Sequence, residues 1–203
     1  MVSKLNCGIT GSSGVLGSEL INKKIFNFIR FKGNITSKKD INKWISLNQF
    51  DLIIHFAAIV PTHLVDKEYK KALRVNFNGT KYLIDSIIEN NINLKWLFFS
   101  STSHVYKFSR KKANEKDLVR PVSKYGITKL KAEKYIQRIL SKHKINYCIG
   151  RIFSFTHKKQ KFSFLVPSIK KRVLRKDKII KFYNLKFFLQ RFTSREKWIG
   201  KIC

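Results

Sequence analysis

The chain has 203 residues, with 43 Lys plus Arg against 12 Asp plus Glu and a formal charge of +31, a length that suits one domain with a sizeable core and leaves little room for two. A hydrophobic fraction of 43% with only three prolines excludes a disordered chain, and no run reaches the roughly 18 apolar residues of a membrane span. Cys7, Cys148 and Cys203 are odd in number and widely spaced, which excludes a disulfide framework or a cysteine metal site and reads as reduced thiols.

Val2 to Thr10 is a predicted strand and Val15 to Ile25 a predicted helix, with Gly11, Gly14 and Gly17 between and within them. A pyrophosphate site needs a strand that stops abruptly, a turn free of Cβ atoms, and a helix N-terminus facing the anion. This stretch offers all three, with Ser13 and Val15 in the same turn. On its own it reads equally as a glycine-rich loop.

Ile25 to Phe31 fits a second strand. In a dinucleotide fold the group just beyond that strand meets the adenosine ribose, and an acid there binds the 2′-hydroxyl. Arg30, Lys32 and Asn34 stand here instead, which suits a 2′-phosphate, although Arg30 is equally one more cation of a basic chain. Ser37 to Leu47 has helical spacing, with Ser37 and Asp40 available as caps. Asp51 to Val60 is a continuous apolar run, as in a strand covered on both faces. Its Ala57 and Ala58 leave room for a flat cofactor or for close helix packing, and His55 reads as a core histidine.

Lys67 to Asn90 is a predicted helix interrupted by Asn76 and Gly79, the glycine marking a close approach or a kink. Leu94 to Phe99 is a buried strand ending in the hydroxyls of Ser100, Ser101, Thr102 and Ser103. Tyr125 to Ser141 is helical and Asn146 to Phe153 a further strand. This alternation predicts an α/β fold, a Rossmann-type doubly wound parallel sheet with ligands at the carboxyl ends of its strands. Phe164 to Arg175 is a further predicted helix and Lys178 to Tyr183 a strand, while Leu185 onward has no clean period. The plausible boundary, near Ser154 to Lys161, divides a nucleotide-binding region at 1–157 from a basic region at 158–203.

Tyr125 and Lys129 are four apart, so their side chains share a helix face. A tyrosine of ordinary pKa about 10 is a poor base at neutral pH, and a neighbouring ammonium stabilises its phenolate. The same ammonium can hold a ribose hydroxyl. Thr102 or Ser101 can then share a substrate oxygen with Tyr125 while hydride moves to or from a nicotinamide. In a Lys-rich chain this spacing also arises without function.

The segments TGSSGVLG, DLIIHFAA, VNFNGT, FFSSTSHVY and PVSKYGITK occur in one order over about residues 4 to 155. Together they resemble the extended short-chain dehydrogenase/reductase family, the NAD(P)-dependent epimerases, dehydratases and reductases of nucleotide sugars. The resemblance implies that Gly11, Gly14 and Gly17 bind pyrophosphate, that Ala57 and Ala58 line the cofactor, and that Asn76 belongs to the VNxxGT-like segment. It implies a catalytic set of Thr102, Tyr125 and Lys129, Thr102 being chosen because it stands four residues before Tyr106. Glu115 sits where the family usually has a glutamate before the Pro and Tyr. Ser103 and His104 replace the Asp-Glu pair that follows the active-site Thr in members that dehydrate a sugar, which argues against a 4,6-dehydratase. Lys107 replaces a glycine, and the chain is expected to be a C-terminally truncated member with a short substrate-binding region.

The resemblance implies an oxidoreductase or epimerase of a nucleotide-linked sugar using NAD or NADP, without a metal and as a possible homodimer. An NADPH-dependent 4-keto-6-deoxy sugar reductase is the nearest alternative. Two other classes are a cofactor-binding fragment with impaired catalysis and a basic polyanion-binding protein. The Lys-dominated charge reads as a solvated face, with nucleic acid held only non-specifically. The start MVSKLNCGIT lacks a signal-peptide run, so a cytoplasmic, membrane-free protein is expected.

Overall fold

Short apolar strands alternating with amphipathic helices can bury both sheet faces only if each crossover returns the chain parallel to the strand before it. The computed structural model, which describes residues 4–109, 113–162 and 164–175, has this arrangement. Strands β1 (Asn6–Thr10), β2 (Asn27–Arg30), β3 (Leu52–His55), β4 (Trp96–Thr102) and β5 (Tyr147–Ile152) form one parallel sheet in the order β2-β1-β3-β4-β5. The helices are α1 (Val15–Asn22), α2 (Lys38–Ser46), α3 (Thr62–Lys67), α4 (Tyr69–Leu73), α5 (Gly79–Glu89), α6 (Lys124–Lys142) and α7 (Leu165–Leu174). A π-helical turn, Arg74–Asn78, joins α4 to α5, and a 3-10 turn, Ser103–Val105, follows β4. Among the described residues no helix is long and apolar enough to cross a membrane.

Alternate strand residues divide between two layers, as the pleat requires. Ile53, Leu97 and Phe99 pack with Ile41 and Ile45 of α2, Leu83, Ile84 and Ile87 of α5, and Ala132, Ile136 and Leu140 of α6. Cys7, Ile9, Leu52 and Ile54 face the other way, against Leu20 and Ile21 of α1 and the rings of Phe28, Phe56 and Phe98. Each fully buried Leu or Ile contributes about 1.5–3 kcal/mol, so the α2/α5/α6 layer carries the larger share of stability.

The helix predicted to Ile25 stops at Asn22, because Lys24 takes φ 53° and turns the chain into β2. α2 is capped as predicted: Ser37 Oγ accepts from Asp40 N at 3.2 Å, and the Asp40 carboxylate accepts from Ser37 Oγ and from Asn34 N at 2.8 Å each. Those bonds, the one from Asn34 N first, hold the Asp40 carboxyl below its ordinary range. The single helix expected over Lys67 to Asn90 is three pieces, and α3 precedes it in a segment with no helical prediction. Gly79 marks a close approach: a Cβ there would lie 2.8 Å from Ile35 O, so its absence seats the loop before α2 against the start of α5. Of the four hydroxyls expected beyond β4, Ser100, Ser101 and Thr102 lie within it, paired with Gly150, Arg151 and Ile152, and Ser103 opens the 3-10 turn that follows. The predicted strand at Lys178 to Tyr183 and most of the 158–203 region lie outside the described residues.

Candidate functional site

Thr10 ends β1, and Gly11 turns the chain at φ 68°. A Cβ on Gly11 would lie 2.6 Å from Ala57 N, and one on Gly17 would strike Gly11 O, so the turn closes only with glycine at both places. Gly14 has a different role. It is the N-cap of α1 and supplies no side-chain cap, and a Cβ there would meet nothing nearer than Gly11 O at 3.3 Å. The N–H groups of the first turn of α1 therefore lack both intrahelical acceptors and a capping side chain, beside an exposed Ser13 and Gly14. Such a terminus attracts anions, and the missing Cβ atoms let a phosphate approach the backbone. It lies where the chain leaves β1 on one side to β2 and on the other to β3, the switch point at which open α/β sheets place ligands. These residues fit a dinucleotide pyrophosphate.

The apolar run after Asp51 is a strand only to His55; Phe56 to Val60 pass over the carboxyl end of the sheet as a loop. That brings half-buried Ala57 and Ala58 beside the glycine turn. Arg30 ends β2 opposite Ile9, exposed, and Lys32 is exposed just after it. Asn34 is occupied, its Oδ1 accepting from Thr36 N at 3.0 Å and Thr36 Oγ1 at 2.9 Å.

Beneath the loop runs a directed chain of hydrogen bonds. Thr80 Oγ1 donates to Asn76 O at 2.8 Å, so it accepts from His55 Nε2 at 2.9 Å. His55 Nδ1 then accepts from Thr10 Oγ1 at 2.6 Å, and Thr10 Oγ1 accepts from Ala57 N at 3.3 Å. One tautomer of a neutral imidazole satisfies every bond, and burial pushes the His55 pKa down to about 3. Fully buried Asn76 clasps the loop above: its Oδ1 accepts from Ile59 N at 2.8 Å, and its Nδ2 donates to Ile59 O at 3.0 Å and to Thr128 Oγ1 at 3.1 Å. Thr128 in turn donates to Tyr125 O at 2.8 Å. The glycine turn, the Ala57 loop and α6 are thus tied together.

The structure brings Thr102 and Tyr125 to one place through His104. Thr102 Oγ1 accepts from His104 N at 3.2 Å, and the imidazole meets the Tyr125 ring edge-on at 5.9 Å between centroids. His104 Nδ1 shares a 2.9 Å bond with Ser123 Oγ, the N-cap of α6. Gly126 lies so close under His104 O that any Cβ there would collide with it. Tyr125 and Lys129 are both buried. Burial raises the phenol pKa, opposite in direction to the lowering that the spacing suggested. Lys129 Nζ lies 4.0 Å from the Phe99 ring centroid, and burial pushes its pKa down to about 7, partly offset by Glu133.

Glu133 and Arg151 were not picked out from the sequence, and His104 entered there only as a departure from the family's Asp-Glu pair. Buried Glu133 accepts from Arg151 Nη2 at 2.8 Å and from Arg151 Nε at 3.2 Å, and also from Ser101 Oγ. The legible signal was its place four residues after Lys129, a carboxylate on the buried face of α6. Glu115 stands exposed in a turn. Among the described residues no group of three His, Cys, Asp or Glu side chains could hold a metal ion.

The parallel sheet, the glycine turn at its switch point and the buried Tyr and Lys on α6 define a Rossmann-type α/β domain with a site at its carboxyl edge. Residues 7–186 match the model of the NAD dependent epimerase/dehydratase family, and the chain belongs to that family. It is 28% identical over 159 residues to a dTDP-D-glucose 4,6-dehydratase of Dictyostelium discoideum, covering 71% of this chain and 36% of the relative. It is 26% identical over 188 residues to a GDP-6-deoxy-D-talose 4-dehydrogenase of Aggregatibacter actinomycetemcomitans, covering 87% and 62%. Its fold matches RMD of Pseudomonas aeruginosa, solved with NADPH, at a TM-score of 0.78 and 18% identity over 86% of this chain and 62% of that one. The chain thus spans between about a third and two thirds of these proteins' lengths.

Proposed function

We propose that this chain is an NAD(P)-dependent oxidoreductase or epimerase of a nucleotide-linked sugar. The observation that carries the reading is the uncapped N-terminus of α1 above a turn closed by Gly11 and Gly17, at the switch point of the sheet. Gly11, Ser13, Gly14, Val15 and Gly17 hold the pyrophosphate, Ala57 and Ala58 line the cofactor, Arg30 meets the ribose end, and Asn76 braces the loop between them. The relatives named for dTDP- and GDP-linked sugars support the substrate class.

When bound, the nicotinamide supplies or accepts hydride at the sugar carbon. Tyr125 exchanges the matching proton with the sugar oxygen, and Thr102 orients that oxygen through its hydroxyl, whose lone pair is already engaged by His104 N. Lys129 in its cationic form stabilises the phenolate left when Tyr125 gives up its proton, and holds a ribose hydroxyl. Tyr125 gives this proton when a ketone is reduced and takes it back when a hydroxyl is oxidised.

A second reading, an NADPH-dependent 4-keto-6-deoxy sugar reductase, is supported by Arg30 and Lys32 at the end of β2. Titration with NADPH and NADH, followed by their fluorescence, tests the cofactor site. Saturable binding of either is the expected result, and no binding of both overturns the assignment. Turnover is then assayed on dTDP-, GDP- and UDP-linked sugars and their 4-keto forms. Stoichiometric loss of NADPH marks a reductase, while conversion without net cofactor loss marks an epimerase. Binding without turnover across the panel leaves a cofactor-binding domain with impaired catalysis.

A further inference from the structure

The buried end of α6 holds an asymmetry that the proposed reaction does not use. Lys129 is 2% exposed and Glu133, one turn on, is 1% exposed, yet they form no ion pair. The Glu133 carboxylate is taken by Arg151, with Nη2 and Nε at 2.8 and 3.2 Å from Oε2, and by Ser101 Oγ. Arg151 is itself held, its guanidinium 4.7 Å from the Tyr106 ring centroid and its backbone paired with Ser101 across β4 and β5. What remains for Lys129 Nζ is the face of Phe99 at 4.0 Å. From the sheet side Lys129 also feels His55 of β3, which is neutral. The titratable groups facing it are therefore Glu133 one turn on and Tyr125 one turn before on its own helix and His55 on β3, with Arg151 of β5 reaching it through Glu133.

We infer that Arg151 is a positioning residue for Lys129: by holding the Glu133 carboxylate directly it keeps that counter-ion off the amine, which is left over the Phe99 ring, and so sets how firmly Lys129 keeps its proton. This rests on the proposed role of Lys129 beside Tyr125. A Lys paired directly with a buried carboxylate stays cationic throughout the physiological range and has no proton to exchange. A buried Lys over a ring is held as a cation less firmly than one paired with a carboxylate, so burial can draw off its proton to solvent, and a proton taken back from solvent restores its charge when a phenolate forms one turn away on the same face. Arg151 thus decides between a static charge and a proton reservoir.

The test reads Lys129 directly. In protein carrying 13C at lysine Cε, the Lys129 resonance is identified by its displacement over the Phe99 ring and by its loss in Lys129→Met. Its midpoint is then followed from pH 5.5 to 10.5, a range chosen to bracket the ordinary lysine value of about 10.4. In the unaltered protein the expected midpoint is about 7. Arg151→Met frees Glu133 and removes a positive charge, so the midpoint rises by about one to three units. Arg151→Gln keeps a donor to Glu133 and removes the charge that holds it, so the midpoint rises here too and the test stands even if Arg151→Met does not fold; Glu133→Gln removes the counter-ion, so the midpoint falls. A Lys129 midpoint near that of the other lysines, or one that no folded Arg151 substitution raises, overturns the inference. The pH profile of NADPH binding, measured on the same samples, keeps the two proposals apart. Resonances that shift while no dinucleotide binds at any pH uphold the role of Arg151 and defeat the cofactor reading instead.

Discussion

Tyr125 meets His104 edge-on through its ring, so removing the hydroxyl alone leaves that contact in place and separates chemistry from binding. Tyr125→Phe is expected to lower turnover by about 10²- to 10⁴-fold, the usual contribution of a placed acid or base, with NADPH affinity changed less than about twofold; equal turnover in both proteins removes Tyr125 from the reaction. His55 gives a separate pH signature. Its folded pKa of about 3 lies below the ordinary 6.5, so the unfolded chain binds the extra proton between these values. Stability is therefore fully present above pH 6.5 and is lost as pH falls toward 3, at no more than about 1.4 kcal/mol per pH unit. Urea unfolding across that range should show a slope that shrinks in His55→Asn. The sequence made His55 a core residue, and its buried run was enough for that. Which threonines it bonds was not legible, because Thr10 and Thr80 approach it from β1 and α5 only after the sheet has formed.

At the level of elements, the glycine turn separates two kinds of glycine that look alike in the sequence. Gly17→Ala drives a Cβ into Gly11 O, whereas Gly14→Ala meets only a 3.3 Å contact at an ordinary φ of −70°. Gly17→Ala should therefore lower the thermal midpoint and abolish dinucleotide binding, while Gly14→Ala keeps the fold and weakens binding; circular dichroism with NADPH titration reads both. Asn76→Ala, which removes the partners of the Ile59 N–H and C=O and leaves Thr128 only its bond to Tyr125 O, should cost about 1–3 kcal/mol, measured by urea unfolding. The strands and long helices were legible because their apolar periods are strong. Element ends were not: β3 stops at His55, within an apolar run that continues to Val60, because Ala57 and Ile59 bond to Thr10 and Asn76 instead of to a neighbouring strand. The Lys129–Glu133 spacing was visible, but the side-chain that captures Glu133 comes from β5, beyond the reach of any local pattern.

For the whole molecule the governing quantity is the charge of +31. Self-repulsion at that charge opposes compaction and is screened by salt, so the thermal midpoint should rise as NaCl is raised from about 20 to 300 mM, a range that takes the Debye length from roughly 20 to 6 Å. Affinity for a polyanion such as heparin should fall steeply between about 50 and 200 mM salt. A binding curve indifferent to salt would instead require contacts beyond charge. The doubly wound class was legible from the alternation of elements, and the family from five short segments in order. The site was legible as a set of residues, and the bonds that organise it needed the three-dimensional arrangement.

The clasp at Asn76 also sets an order of assembly. Its donors and acceptors come from Ile59, seventeen positions away, and from Thr128, fifty-two away. A nascent chain that has reached β4 can already pair β1 to β4 and seat Asn76 on Ile59, but one amide hydrogen stays unsatisfied until α6 has left the ribosome and docked. The region around Tyr125 is therefore sealed only after α6 docks, and Arg151 of β5 closes on Glu133 of that helix later still. By the same geometry the Tyr125 region comes apart when α6 lifts, and in native-state hydrogen exchange the Ile59 amide should open together with the amides of α6.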